Sequence, residues 1–176
     1  PLPKFRVDLL APFDDMQKAI EVVPRVMTES GIVPTAVEFM DSLSIKAAEM
    51  YLNSSLPHSD AAAYLIIELE GSSEEQVEAE YEAIGRLCME RGALEVYVAD
   101  NLATQDRIWK ARKCVAEALR VVSPVYCMED ITVPTSEIPE ILSSISQISK
   151  EYDVKIPAFG HAGDGNIHAT LLREGM

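Results

Sequence analysis

The sequence predicts an α+β fold of ferredoxin-like β-α-β units, a mostly antiparallel sheet with helices on one face. Three observations carry this expectation. Apolar periodicity switches between two and about 3.6 several times along the chain. The joints "ESGIVPTAVEFMD" and "ERGALEVYVAD" repeat one pattern, an acidic helix end, a glycine and a strand that stops at Asp. No GxGxxG follows the first strand, which places an open doubly wound α/β fold second and weakens any dinucleotide site.

Element by element, "FRVDLLAPF" reads as a strand ended by its proline, and "DDMQKAIEVVPRVMTES" as a helix with Asp14 and Asp15 at its positive end. Pro24 is expected to kink or split that helix, and Gly31 to close it. "IVPTAVEFMD" is the next strand, "SLSIKAAEMYLN" a short helix, and "LNSSLPHSD" a loop carrying His58. The pattern then repeats. "AAAYLIIELEG" is a strand, and Ser73 with Gln76 three residues on opens the helix "SSEEQVEAEYEAIGRLCMER" in a capping box. Val77, Tyr81, Ile84 and Cys88 share one face of that helix, Gly92 ends it, and "ALEVYVAD" returns as a strand. One long helix, "NLATQDRIWKARKCVAEALRVV", precedes the strand "VYCMEDITVP" and the helix "SEIPEILSSISQISKEYD". "VKIPAFGHAGDGNIHATLL" closes the chain as an interrupted strand.

The 176 residues are expected to form a single domain, 48% apolar and 25% charged. No stretch reaches the roughly 20 apolar residues of a membrane span, and "PLPKFRVDLL" lacks signal-peptide character. A formal net charge of −14, without a basic stripe, argues against nucleic acid. The acidic run "SSEEQVEAEYEA" reads as a solvated helix face. Cys88, Cys114 and Cys127 are odd in number and lack CxxC spacing, as expected of reduced, packed thiols in a cytoplasmic protein.

The stretch "FGHAGDGNIH", residues 159–168, holds three glycines and two of the three histidines. On an unbroken strand His161 and His168 would face opposite ways, and the glycines disfavour a helix. "AGDGN" has the composition of a tight reversal, and such a bend brings the two imidazoles within reach of one divalent cation. On the residues alone the stretch is either a plain turn or a turn that binds metal. Asp164 is either a further ligand or a residue that holds the turn through its own backbone bonds.

"GHAGDGNIH" resembles the G-H-x-G-D-G-N-x-H signature of the FAD-linked oxidases related to glycolate oxidase, D-lactate dehydrogenase and D-2-hydroxyglutarate dehydrogenase. "VPTAVEFMD", "IWKARK" and "SPVYCMEDITVP" resemble further segments of that family, in its order, so the likeness runs from residue 33 to 168. The nearest branch is the glycolate oxidase catalytic-subunit type. The resemblance implies the substrate or cap domain of an enzyme that oxidises a small 2-hydroxy acid and passes a hydride to FAD. The flavin would be bound mainly by an N-terminal FAD-binding domain of the same polypeptide, expected to be absent from residues 1–176 together with the C-terminal end of the family.

The resemblance further implies that His161 and His168 ligate a divalent metal (Zn, Mn or Fe), that Arg112 clamps the substrate carboxylate, and that Asn166 lies near substrate or flavin. A guanidinium suits a carboxylate because it offers paired donors and stays charged. Trp109 is expected in the core. The family's glutamate-histidine-glycine segment, a further ligand and the general base, is expected beyond Met176, and Glu174 does not replace it; the fragment alone is expected to be inactive. Cys127, Met128 and Glu129 stand where the hydroxyglutarate branch has a lysine, which favours glycolate or D-lactate. Other oxidase subunits are candidate partners, and a cytoplasmic location, peripheral to the membrane within a larger complex, is expected. The alternatives are a non-catalytic ferredoxin-like module binding a metal or ligand, and a metal-dependent hydrolase built on His161, Asp164 and His168.

Overall fold

A computed structural model describes residues 3–123 and 125–173; Glu174, excluded above as a ligand, lies outside them. Among the described residues seven strands form one sheet. They are β1 (Phe5–Phe13), β2 (Ala36–Asp41), β3 (Ala63–Gly71), β4 (Tyr97–Ala99), β5 (Tyr126–Thr132), β6 (Ala158–His161) and β7 (Asn166–Leu172). The order is β4-β1-β3-β2-β6-β7-β5, and every neighbouring pair is antiparallel. The helices are α1 (Met16–Ser30), α2 (Ser42–Leu52), α3 (Glu74–Glu90), α4 (Leu102–Lys113), α5 (Val115–Val122) and α6 (Ile138–Glu151).

The two expected β-α-β units are β1-α1-β2 and β3-α3-β4, interleaved as β4-β1-β3-β2 in the split βαβ arrangement of the ferredoxin-like fold. The helix layers depart from expectation. Leu9, Phe13, Phe39, Leu65 and Ile67 pack with Ile20 and Val23 of α1, Ile84 and Cys88 of α3, and Leu142 of α6. Leu10, Met40, Tyr64, Ile66 and Phe159 pack on the other face, with Ile45 of α2, Ile108 of α4 and Leu119 of α5. Helices therefore cover both faces. The physical reason is in the strands, where β1, β2 and β3 are apolar at odd and even positions alike and must be buried twice.

Three local expectations are also revised. β1 continues through Pro12, which pairs with Tyr64. Pro24 neither splits nor ends α1, which runs unbroken to Gly31 in the left-handed conformation at φ 69°. The single long helix is two, α4 and α5, meeting at Cys114 without glycine or proline.

Asp41 ends β2 and caps α2: one carboxylate oxygen accepts from the Ser44 amide at 2.8 Å, the other from the Ala158 amide of β6 at 2.8 Å. It thereby ties the ferredoxin-like half to the β6-β7-β5 extension. Burial pushes its carboxyl up to about 6, against the opposing pull of these donors. The folded chain thus holds a proton that the unfolded chain releases near 3.8. This group's contribution to stability is full below about pH 3.8 and is lost as pH rises through about 6. Replacing Asp41 by Asn turns an amide NH2 toward one of two N–H donors. Asp41→Asn is expected to cost about 1–3 kcal/mol and to flatten this part of the pH dependence, read from urea midpoints across that range.

Candidate functional site

The two histidines come together because the last strand region is a hairpin. β6 ends at His161, a single 3-10 turn covers Ala162–Asp164, and β7 begins at Asn166. The turn closes with Gly165 N–H donating to the Ala162 carbonyl, and Gly165 sits at φ 77°. A Cβ there would stand 1.9 Å from the Val133 carbonyl oxygen, and one at Gly160 would stand 2.3 Å from that of Asn166. Both glycines are needed for close backbone approach.

His161 pairs with Asn166 across the hairpin and Phe159 with His168. The imidazole centroids are 5.8 Å apart with planes at 80°. Each ring is held through Nδ1 by a carboxylate. His161 Nδ1 stands 2.7 Å from Glu38 Oε1 of β2, and His168 Nδ1 bonds Asp130 of β5. In a neutral ring that bond places the proton on Nδ1 and leaves Nε2 as the lone-pair nitrogen. The two carboxylates differ in setting, since the Glu38 side chain is 5% exposed and that of Asp130 is 68% exposed.

Glu38 also meets Arg112, which α4 lowers onto the same sheet face. Arg112 Nε donates to Glu38 Oε2 at 2.9 Å. Nη2 stands 2.8 Å from the same oxygen without being aligned on it, and is left buried with no hydrogen-bond partner. Burial lowers the guanidinium's pKa and the Glu38 charge opposes the shift; the group remains a cation. The guanidinium carbon lies 5.1 Å from the centre of the Phe159 ring, and the His168 ring lies 5.0 Å from the same ring. Asn166 Oδ1 is likewise buried and unpartnered. The structure thus gathers Arg112, Asn166, His161 and His168 on one face of β2-β6-β7, around the Phe159 ring.

Trp109, expected in the core, is half-buried: its Nε1 donates to the buried Asp8 at 2.9 Å and pins α4 to β1. Gln105 adds bonds to the Arg6 and Ala99 carbonyls, both 3.0 Å. The buried side of α4 is therefore polar at 105, 109 and 112, a helical spacing readable in the sequence. Asp164 shares with His161, Glu38 and Val37 a cleft of about 160 Å³. It completes no ligand set, for among the described residues no three His, Cys, Asp or Glu side chains are placed to hold one metal ion. The hydrolase reading loses its third group. Two imidazoles with Nδ1 engaged by carboxylates do have the donor chemistry of metal-ligating histidines, so the residues present fit a metal as part of its ligand set. Glu38 and Asp130 were missed from sequence. Cys127, expected to be packed, is exposed, and all three cysteines are free thiols.

Residues 2–175 match the family of FAD linked oxidases, C-terminal domain. The chain belongs to this family. A glycolate oxidase subunit of Escherichia coli is 37% identical over 172 residues, 98% of this chain and 34% of that protein. A D-lactate dehydrogenase of Anaerostipes hadrus is 32% identical over 181 residues, 100% of this chain and 38% of that protein. The chain spans 34% and 38% of the length of these relatives. Among solved structures, alkyldihydroxyacetonephosphate synthase superposes with a TM-score of 0.65 at 14% identity, covering 97% of this chain and 36% of that one. A 4-ethylphenol oxidase from Gulosibacter chungangensis gives 0.63 at 11% identity, covering 98% and 40%. These two likenesses show a shared fold and nothing finer.

In this FAD-linked oxidase C-terminal domain the hairpin turn sets the histidine pair. Gly165→Ala is expected to cost about 2 kcal/mol or more through the left-handed backbone, with the clash at Val133 added. Denaturant unfolding measures the loss.

Proposed function

We propose that the chain is the substrate-side domain of a flavin-dependent 2-hydroxy-acid dehydrogenase of the glycolate or D-lactate type. The observation that carries this reading is the gathering of Arg112, Asn166 and two carboxylate-anchored imidazoles on one sheet face. Arg112 receives the substrate carboxylate through the edge that Glu38 leaves unsatisfied, and Asn166 offers its amide to the substrate. His161 and His168 hold a divalent metal (Zn, Mn or Fe) through Nε2, with further ligands from outside the described residues. FAD, held mainly by another part of the polypeptide, supplies the hydride acceptor, and the metal supplies a Lewis acid for the substrate's oxygens.

Phe159 floors the site, with Arg112 and His168 against its ring. Met128 of β5 lies on the same face and offers a thioether rather than a cation, in keeping with a monocarboxylic substrate. None of the described residues is assigned as the general base. The likeness to a glycolate oxidase subunit supports association with other subunits, and free thiols are in keeping with a cytoplasmic location. Among the described residues no helix is long and apolar enough to cross a membrane.

The test is flavin reduction by glycolate and by D-lactate in the full-length protein. His161→Ala is expected to slow it on the order of 10²-fold, as for loss of one electrostatic contact at a reacting centre. Arg112→Lys, which keeps the charge but not the planar fork, is expected to raise KM chiefly. Unchanged reduction in both variants overturns the assignment.

A further inference from the structure

We propose that Glu38 is a shared positioning residue, one carboxylate that fixes Arg112 with one oxygen and the tautomer of His161 with the other. The inference rests on the functional reading above and goes beyond it by naming the group that sets clamp and ligand at a fixed spacing. Three observations carry it. The two bonds use different oxygens, Oε2 toward Arg112 at 2.9 Å and Oε1 toward His161 at 2.7 Å. Glu38 is buried on a central strand while the His161 side chain is 48% exposed, so the carboxylate is the fixed partner and the imidazole the one being held. Asp130, which holds His168, is exposed to competing water, so the stiffer of the two anchors is Glu38.

The chemistry of the three groups makes the arrangement directional. A guanidinium only donates, so whatever stands at position 38 must turn an acceptor toward Arg112. A carboxylate has a second acceptor left, which accepts the hydrogen bond from His161 Nδ1–H and leaves Nε2 free to ligate. A glutamine of the same shape does not. Its single oxygen goes to Arg112, and its NH2 is left facing His161 Nδ1, which must then accept. The imidazole proton moves to Nε2, where it blocks ligation. The substrate clamp is kept while the ligand is lost, an outcome that a merely structural carboxylate would not produce.

The experiment compares Glu38→Gln and Glu38→Asp with the unmodified protein, using nitrogen NMR of ¹⁵N-histidine-labelled protein for the tautomer and chelator competition with Zn²⁺ alone for affinity. Glu38→Gln is expected to move His161 from the Nδ1–H to the Nε2–H form. Zn²⁺ affinity should fall about 10–100-fold, the usual effect of losing a ligand's anchoring partner, with a smaller change in the KM for glycolate. Glu38→Asp keeps two acceptor oxygens and is expected to retain the Nδ1–H form. An unchanged tautomer and unchanged Zn²⁺ affinity in folded Glu38→Gln overturn the proposal. Failure of the underlying reading looks different: the unmodified protein then shows no Zn²⁺ affinity that His161→Ala and His168→Ala remove, while the tautomer still reports whether Glu38 holds His161.

Discussion

A carboxylate buried at a strand position is costly unless both of its oxygens are occupied, and Glu38 meets that requirement by reaching in two directions. The effective cost of taking such an ion out of water is several kcal/mol even after relaxation. Arg112 comes from α4 and His161 from the β6-β7 hairpin, so satisfying one side chain of β2 fixes a helix and a hairpin against each other. Neither partner is optional. A missing guanidinium would leave a buried charge uncompensated, a loss of about 3–5 kcal/mol. The relative placement of Arg112 and His161 therefore follows from the electrostatics of one strand residue.

Around this point the two faces of the sheet divide the work. The α1-α3-α6 face is continuous apolar packing from Leu9 to Ala169 and supplies rigidity. The opposite face is apolar under α2 and α5 and mixed under α4, where Ile108 and Ala111 join the core while Gln105, Trp109 and Arg112 reach backbone or buried carboxylates of β1, β2 and β4. A helix docked by directed hydrogen bonds has one register and one rotation. That suits a helix whose end presents a guanidinium to a site.

Much of this was legible in the sequence for reasons that are local. The strands β1 and β3, the caps at Ser73 and Gly31, and the reversal within "AGDGN" are all written in periodicity or turn chemistry, and each formed where expected. The break at Cys114 carries no local signal, because it arises from α4 docking on the sheet while α5 packs on α2. The second helix layer was available in principle from strands with apolar residues at odd and even positions alike, as was Glu38, an acid between Val37 and Phe39 in a strand buried on both faces. Its partners lie 74 and 123 residues away. No spacing rule reaches that far, so the ion pair and the histidine anchor belong to the tertiary structure alone.

The charge balance of the face bears on how an acid would be received there. Arg112 is matched by Glu38, and Asp130 beside His168 adds a second negative group, so with neutral imidazoles the cluster carries a net negative charge. On the proposed reading, an anionic 2-hydroxy acid would meet one guanidinium edge and a surplus carboxylate there. At the separations of a partly buried site such repulsion is worth a few kcal/mol. On the proposed reading a divalent cation held by His161 and His168 would also offset the surplus negative charge of this face. The same two carboxylates that would disfavour a bare acid are the ones that hold the two imidazoles by Nδ1. The protein's overall acidity, net −14, points the same way, since nothing in the long-range field draws an anion in and recognition falls to the groups at the site itself.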